Sequence, residues 1–260
     1  MIRPDFDRRI ARARALAAEY PSAAQVLNFY VEVAAFQKQI FEATAADNLH
    51  ADSMRPFDEQ LVTPTALCRF PMLIGLVEQK GPAGLAKSAR ELRQQSPEQW
   101  RILLETPPNG DLAQHFFARA CLQPVAEYLA LESKIQFAGY TGQLCPVCGD
   151  APQLGVLRPE GDGGKRSLVC ATCATEWEFR RVLCPNCAEE NHLKLPRFSA
   201  EDFPHVRVEA CDTCKRYLKS VDLTLNGLAV PLVDEIAAAP LDLWAAEHGY
   251  EKIELNLMGL

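Results

Sequence analysis

"CPVCGDAPQLGVL" spans residues 145–157, and its C-x-x-C opening recurs as "CATC" at 170–173, "CPNC" at 184–187 and "CDTC" at 211–214. Eight of the chain's 10 cysteines lie in these four steps. Two thiolates spaced C-x-x-C on a tight turn point at one metal ion, and a second such turn brought opposite by a hairpin completes a tetrahedron. The intervals indicate how the steps pair. Between Cys148 and Cys170 lie 21 residues and between Cys187 and Cys211 lie 23, each enough for a strand out and a strand back. Only 10 residues separate Cys173 from Cys184, enough for one strand to carry the chain from one ribbon to the next. The spacing predicts one site from Cys145, Cys148, Cys170 and Cys173 and a second from Cys184, Cys187, Cys211 and Cys214. A cross-braced arrangement, first step with third and second with fourth, is the alternative.

A four-cysteine site is closed, so it contributes folding energy and leaves no coordination position for a substrate. About 80 residues of small hairpins bury too little surface to fold alone, and two ions replace the missing core. A redox dithiol is the competing reading of any one C-x-x-C, but that motif sits at a helix start within a βαβ pattern, and none is visible here. Cys68, in "TALCRFPMLIGL", and Cys121, in "FFARACLQP", read as buried small hydrophobes. His192 and His205, between the third and fourth steps, read as ordinary surface or hairpin histidines, and His115 as packing or solvent-facing. No G-x-S-x-G, Walker loop, G-x-G-x-x-G or H-E-x-x-H occurs, so no conventional enzyme motif is present.

Outward from the cysteines the grammar changes. Within 141–224 the segments are short, the turn "RPEGDGGKR" is rich in Gly and Pro, and "TEWEFRRV" alternates Trp177 and Phe179 with Glu176, Glu178 and Arg180, as in a half-buried strand. Residues 1–140 read as helices. "SAAQVLNFYVEVAAFQKQIFEATAA" places Val26, Tyr30, Val33 and Phe41 on one stripe, with Leu27 and Ala34 beside it. In "SPEQWRILLET", Ser96 caps a helix, Pro97 takes its first position and Gln99 closes a capping box. "PPNGDLAQHFFARACLQPVAEYLALESKIQFAG" predicts two helices, the first capped by Asp111 and the second opened by Pro124. After residue 225, "PLVDEIAAAPLDLWAAEHGYE" predicts a helix through Leu241, Leu243, Trp244 and Ala245 that ends at Gly249.

The chain has 260 residues, 48% of them hydrophobic, and a net charge of −7 with a pI near 5.4. Residues 141–222 hold 11 Lys and Arg against 12 Asp and Glu, and eight thiolates on two divalent ions add about four negative charges more. Such a surface repels a phosphate backbone, so nucleic acid is excluded as a partner. Arg3, Arg8, Arg9, Arg12 and Arg14 cluster near the start without an apolar run after them, which predicts a solvated helix face rather than an export signal. No stretch approaches the roughly 18 apolar residues of a membrane span. A cytoplasmic location, where thiols stay reduced, is the expectation.

"CPVCGDAP", "LVCATCATEWEFRRVLCPNC" and "VEACDTCKRYLKSVDL", with a helical lobe before them and "PLVDEIAAAPLDLWAAEHGYEKIELNLMGL" after them, resemble the formate dehydrogenase accessory proteins of the FdhE type. The resemblance spans nearly the whole chain. It implies a fold of α plus small β: a helical lobe over 1–140, two tandem rubredoxin-like or zinc-ribbon modules over about 141–180 and 181–224, and a C-terminal helical segment over 225–260. It also implies iron or zinc in the two four-cysteine sites, and a non-catalytic maturation or quality-control factor that binds the catalytic subunit of a respiratory formate dehydrogenase. A rubredoxin-like one-electron carrier and a dithiol sulfur-handling protein are the alternatives. Arg180, Arg181, Tyr217 and Lys219, beside the cysteine turns, are the candidate partner contacts. Ala188 stands where such a ribbon often carries Gly, which costs little as long as its φ stays negative.

Overall fold

The computed structural model describes residues 3–106, 110–161 and 163–260. Thus residues 107–109 of the segment before the "DLAQ" helix, and Asp162 of the Gly- and Pro-rich turn, lie outside the described residues.

Six helices build the lobe: α1 (Phe6–Glu19), α2 (Ala24–Ala46), α3 (Pro64–Lys80), α4 (Ala83–Arg93), α5 (Pro97–Glu105) and α6 (Leu112–Glu132). The Ser96 capping box forms as predicted, and Asp111 caps α6 by accepting from the Gln114 N–H at 3.0 Å. Along α2 the predicted stripe is largely buried, with Leu27, Tyr30, Val33, Ala34 and Phe41 all inside. The break expected at Pro124 does not occur, and α6 runs through it. Proline removes the donor that the carbonyl four residues earlier requires. That carbonyl, on Ala120, instead accepts from Gln37 Nε2 of α2 at 3.3 Å. A tertiary contact supplies what the local sequence withholds.

The cysteine region folds as two copies of one plan, in which a cysteine turn, two strands, a second cysteine turn and a third strand follow one another. The first copy holds β1 (Pro152–Glu160), β2 (Gly163–Cys170) and β3 (Glu176–Glu178). The second holds β4 (Arg197–Ser199), β5 (Val206–Ala210) and β6 (Arg216–Asp222). The copies are not separate beads, because β1 pairs with β6 in parallel, Leu154 opposite Lys219 through Leu157 opposite Asp222, and one sheet results in the order β3-β2-β1-β6-β5-β4. Gly155 is needed at this seam, since a Cβ there would meet Ser220 Oγ.

The C-terminal region is two short helices rather than one, α7 (Pro231–Ala237) and α8 (Ala239–Glu247), followed by β7 (Glu251–Lys252), which pairs in parallel with the start of β6. Pro240 donates no N–H, and Ala238 leaves helical geometry at φ −84°, ψ 31°. Gly249 ends α8 at φ +77°, as expected of a C-terminal glycine. One apolar core joins lobe and sheet, since Leu27, Phe70 and Phe117 belong to the same cluster as Cys145, Cys170, Trp177 and Val233. A second, smaller core seals α8 against β5 and β6 through Val208, Tyr217, Leu241 and Ala245. No helix among the described residues is long and apolar enough to cross a membrane.

Two four-cysteine centres

The predicted sequential sets of cysteines converge, and the cross-braced alternative does not form. Cys145, Cys148, Cys170 and Cys173 gather their Sγ atoms within 4.8 Å of one another, and so do Cys184, Cys187, Cys211 and Cys214. Nearest sulfurs stand 3.3–3.6 Å apart in the first centre and 3.6–3.7 Å in the second. A tetrahedral ion bound to sulfur at about 2.3 Å has sulfur–sulfur edges of about 3.8 Å, so either set fits one. Hydrogen bonds with the other three sulfurs, and burial after them, push the Cys170 thiol up. A cation among the four sulfurs offsets the repulsion between thiolates packed this closely.

Each centre is held by the same backbone device. The N–H of the first cysteine in each turn donates to the carbonyl five residues on: Asp150, Thr175, Glu189 and Arg216, at 2.8–2.9 Å. Val147, Thr172 and Asn186 direct their N–H groups at the first sulfur of their turns, at 3.3–3.4 Å, which favours thiolate over thiol. The residue after each second cysteine turns left-handed: Gly149 at φ +82°, Ala174 at +51°, Ala188 at +60° and Lys215 at +56°. Ala188 thus has the positive φ at which standing in for Gly is costly, because the turn geometry outweighs the local preference. Ala188→Gly is expected to stabilise the chain by about 0.5–1 kcal/mol, as removing an unfavourable Cβ outweighs the added freedom of the unfolded chain. Urea unfolding checks this, and a loss of stability would contradict the strain.

The two centres differ in depth. Cys145, Cys170 and Cys173 lie inside the main core at 4%, 0% and 3% exposure, whereas in the second centre Cys184 and Cys211 are buried outside that core and Cys187 is exposed. Thr175 and Trp177 support the first centre: Thr175 Oγ1 lies 3.1 Å from Cys173 Sγ, and Trp177 Nε1 donates to the Gly142 carbonyl at 2.9 Å. In the second, Thr213 donates to Glu189 at 2.5 Å and so ties the two turns together. Neither Thr175 nor Thr213 was singled out as a site residue, since a hydroxyl near a cysteine turn carries no spacing signal of its own.

The structure corrects several other readings. Tyr217 and Lys219 are not available at the surface: they are buried under α7 and α8, at 4% and 0% exposure. Tyr217 donates to Asp242 at 2.9 Å, and Lys219 Nζ bonds the Glu235 carbonyl at 2.5 Å and the Asp242 carboxylate. Lys252 and Asn256 complete this network around Glu235. Burial opposes the charge on Glu235, but Lys219 and Lys252 outweigh it and draw its pKa down to about 2. Arg180 and Arg181 are exposed. Cys121 is buried as expected, but Cys68 is exposed on the outer side of the lobe. His192 and His115 are exposed, while His205 is buried with its Nε2 at 2.8 Å from Asp234 Oδ1. The arginine-rich face of α1 is only partly solvated, because Arg9 forms a two-pronged pair with Glu127 at 2.8 and 3.0 Å and Arg12 engages Asp234.

Two sulfur cages on one sheet packed against a helical lobe define a protein of the double-ribbon kind, each of whose four-cysteine sets could hold one ion in a site closed to substrate. The family descriptions that match are "FdhE, central domain" over residues 144–181 and "FdhE, C-terminal domain" over 182–258. An FdhE homolog from Aquifex aeolicus is 30% identical across 95% of this chain and 93% of its own. One from Pectobacterium carotovorum is 27% identical across 96% and 86%. The crystal structure of the FdhE protein from Pseudomonas aeruginosa is similar with a TM-score of 0.70 at 25% identity, covering 99% of this chain and 97% of that one. The chain belongs to the FdhE family.

Proposed function

We propose that the protein is a non-catalytic accessory factor that binds the catalytic subunit of a respiratory formate dehydrogenase in the cytoplasm and is needed for its activity. The eight cysteines hold two ions, iron or zinc, as structural centres. The observation that carries this reading is the closure of both sulfur sets, which leaves an ion four protein ligands and no place for a substrate. Arg180 and Arg181 remain the partner contacts, beside the second centre rather than the first. The exposure of Cys187 favours one second reading, a one-electron carrier, because an iron centre near the surface is within reach of a redox partner.

Exchanging the metal separates the two readings. Zinc takes the same thiolate cage as iron but has no accessible redox couple. Protein loaded with about two zinc ions per chain is expected to bind the catalytic subunit as tightly as the iron form, and to restore formate oxidation in extract lacking the native factor. Activity recovered per mole of each form, with metal content assayed before and after, is the measurement. Recovery with iron alone, at equal binding, would replace the structural reading with electron carriage.

A further inference from the structure

Charge on the sheet is segregated. Although residues 141–222 are about neutral overall, Arg166, Arg181, Arg197 and Arg216 line one narrow cleft beside Cys184 and Cys211, with Glu209 the acidic residue among its lining. Glu209 is already occupied, taking Arg166 at 2.7 Å on one oxygen and Arg207 at 2.8 Å on the other. Burial opposes its charge, yet Arg166 and Arg207 draw its pKa down to about 2, so it stays ionised and committed to them. Arg216 pairs with Glu251 at 3.1 Å. What remains is a surplus of cations. Arg181 and Arg197 are both exposed and have no ion-pair partner among the described residues. The Arg197 guanidinium donates to the Arg181 carbonyl at 2.9 Å, and partial burial together with repulsion from Arg207, Arg166 and Arg181 outweighs the attraction of Glu209 and pulls its pKa down. The Nε of Arg166, itself 4% exposed, has no hydrogen-bond partner.

Such a cluster on a chain of net charge −7 calls for an anion. The four thiolates next to it, once they hold a divalent ion, carry two negative charges between them, but no cysteine sulfur of the second centre hydrogen-bonds Arg181 or Arg197 among the described residues. The cleft is about 20 Å³, room for one water or one carboxylate oxygen and too small to enclose a free phosphate. The larger groove between α1, the end of α6 and the face of β1–β3, about 750 Å³, is better balanced: Arg9 is matched by Glu127, Arg158 by Glu176 and Lys165 by Glu178.

We infer that the face formed by the exposed Arg181 and Arg197 beside the second centre, with the buried Arg166 behind them, docks an acidic segment of the protein partner. The inference rests on the accessory reading and names the chemistry of its contact: Asp or Glu side chains received by exposed guanidiniums, which bind carboxylates two-pronged. Arg197 sits on β4 and Arg181 on the bend that leads into the Cys184 turn, and the second centre is the rigid frame between them. Arg180, matched by Glu190 at 2.6 Å, contributes less than Arg181.

The test uses the full metal-loaded chain with three probes: the formate dehydrogenase catalytic subunit, a decaglutamate peptide and inorganic phosphate. Arg181→Glu with Arg197→Glu is expected to weaken binding of subunit and peptide about tenfold or more, whereas Arg181→Lys with Arg197→Lys loses less. Lys87→Glu with Arg90→Glu, on exposed α4 positions, imposes the same change in net charge and is expected to leave binding intact. Circular dichroism and metal content confirm that each variant is folded. If the subunit binds wild type and the Arg181/Arg197 reversal equally well, the docking face is wrong while the accessory reading stands. If decaglutamate binds in an arginine-dependent way and the subunit does not bind at all, the accessory reading fails and the acidic-segment face stands. Phosphate that displaces the peptide as effectively as peptide itself overturns the inference in favour of a small oxyanion site.

Discussion

Replacing Cys170 and Cys173 together by Ser is expected to abolish the cooperative fold of the entire chain, lobe included. Both sulfurs lie in the same apolar cluster as Leu27, Phe70 and Phe117, so losing the ion leaves cut polar groups in the heart of the molecule. Structural ions of this type contribute an apparent 10–16 kcal/mol or so, about as much as or more than the 5–15 kcal/mol or so by which whole domains are stable. Arg119 adds to the damage, because its guanidinium clamps the Ala171 carbonyl at 2.6 Å together with Gln153 and Leu255, and that grip depends on the turn staying formed. Replacing Cys184 and Cys187 is expected to loosen β4, β5 and their turns while α2 and α6 persist, since the second centre sits at the rim. Thermal melts followed by near- and far-ultraviolet circular dichroism distinguish the two. A first-centre variant that keeps its helical signal and a sharp transition would show that the lobe stands without its metal.

This contrast was only half readable from the residues in order. The cysteine intervals sufficed to pair the turns, because a ribbon needs a fixed length of strand between them, and the alternation of Trp177 and Phe179 with Glu178 sufficed for the inward face of β3. The Ser96 box worked because capping is a matter of four neighbouring residues. Where the governing partner lies far along the chain, local reading failed. Pro124 stays helical because of Gln37, 87 residues earlier. Arg9 and Arg12 turn inward because Glu127 and Asp234 wait there, 118 and 222 residues away. Lys219 looks like the outward residue of a strand, and would be one if α7 and α8 did not cover that face. The joining of the two ribbons through β1 and β6 left no local trace apart from Gly155, which reads equally well as an ordinary turn residue.

Glu235→Gln is expected to cost about 3–5 kcal/mol, because it leaves Lys219 and Lys252 buried with only Asp242 to balance them. For a chain of this size that corresponds to a melting point lower by about 6–20 °C. The pH dependence has a definite sign. Glu235 has its folded pKa near 2 against an ordinary 4.5, so its contribution is complete above about pH 4.5 and is lost as pH falls toward 2. Glu209 titrates over the same window. Wild-type stability is therefore expected to decline from about pH 4.5 downward, and the decline in the Glu235→Gln variant to be shallower but not absent. Zinc content must be followed in parallel, because thiolates also release their ion in acid. A variant with an unchanged melting point and an unchanged acid profile would mean that the fold does not depend on the Glu235 charge.

The pairing of α1 with α7 through Arg12 and Asp234 has a consequence for synthesis. Asp234 leaves the ribosome 222 residues after Arg12, which at about 5–20 residues per second is a delay of tens of seconds. Throughout that interval Arg12 has no Asp234 to engage, although Arg9 meets Glu127 midway, and the parallel seam between β1 and β6 stays open until residue 222. Val233, Ile236 and Leu257, which belong to the main core, also emerge only after residue 230. The nascent lobe is therefore an unfinished body until residues beyond 230 emerge, whereas the two cysteine cages, complete by residue 214, can close on a metal ion before then.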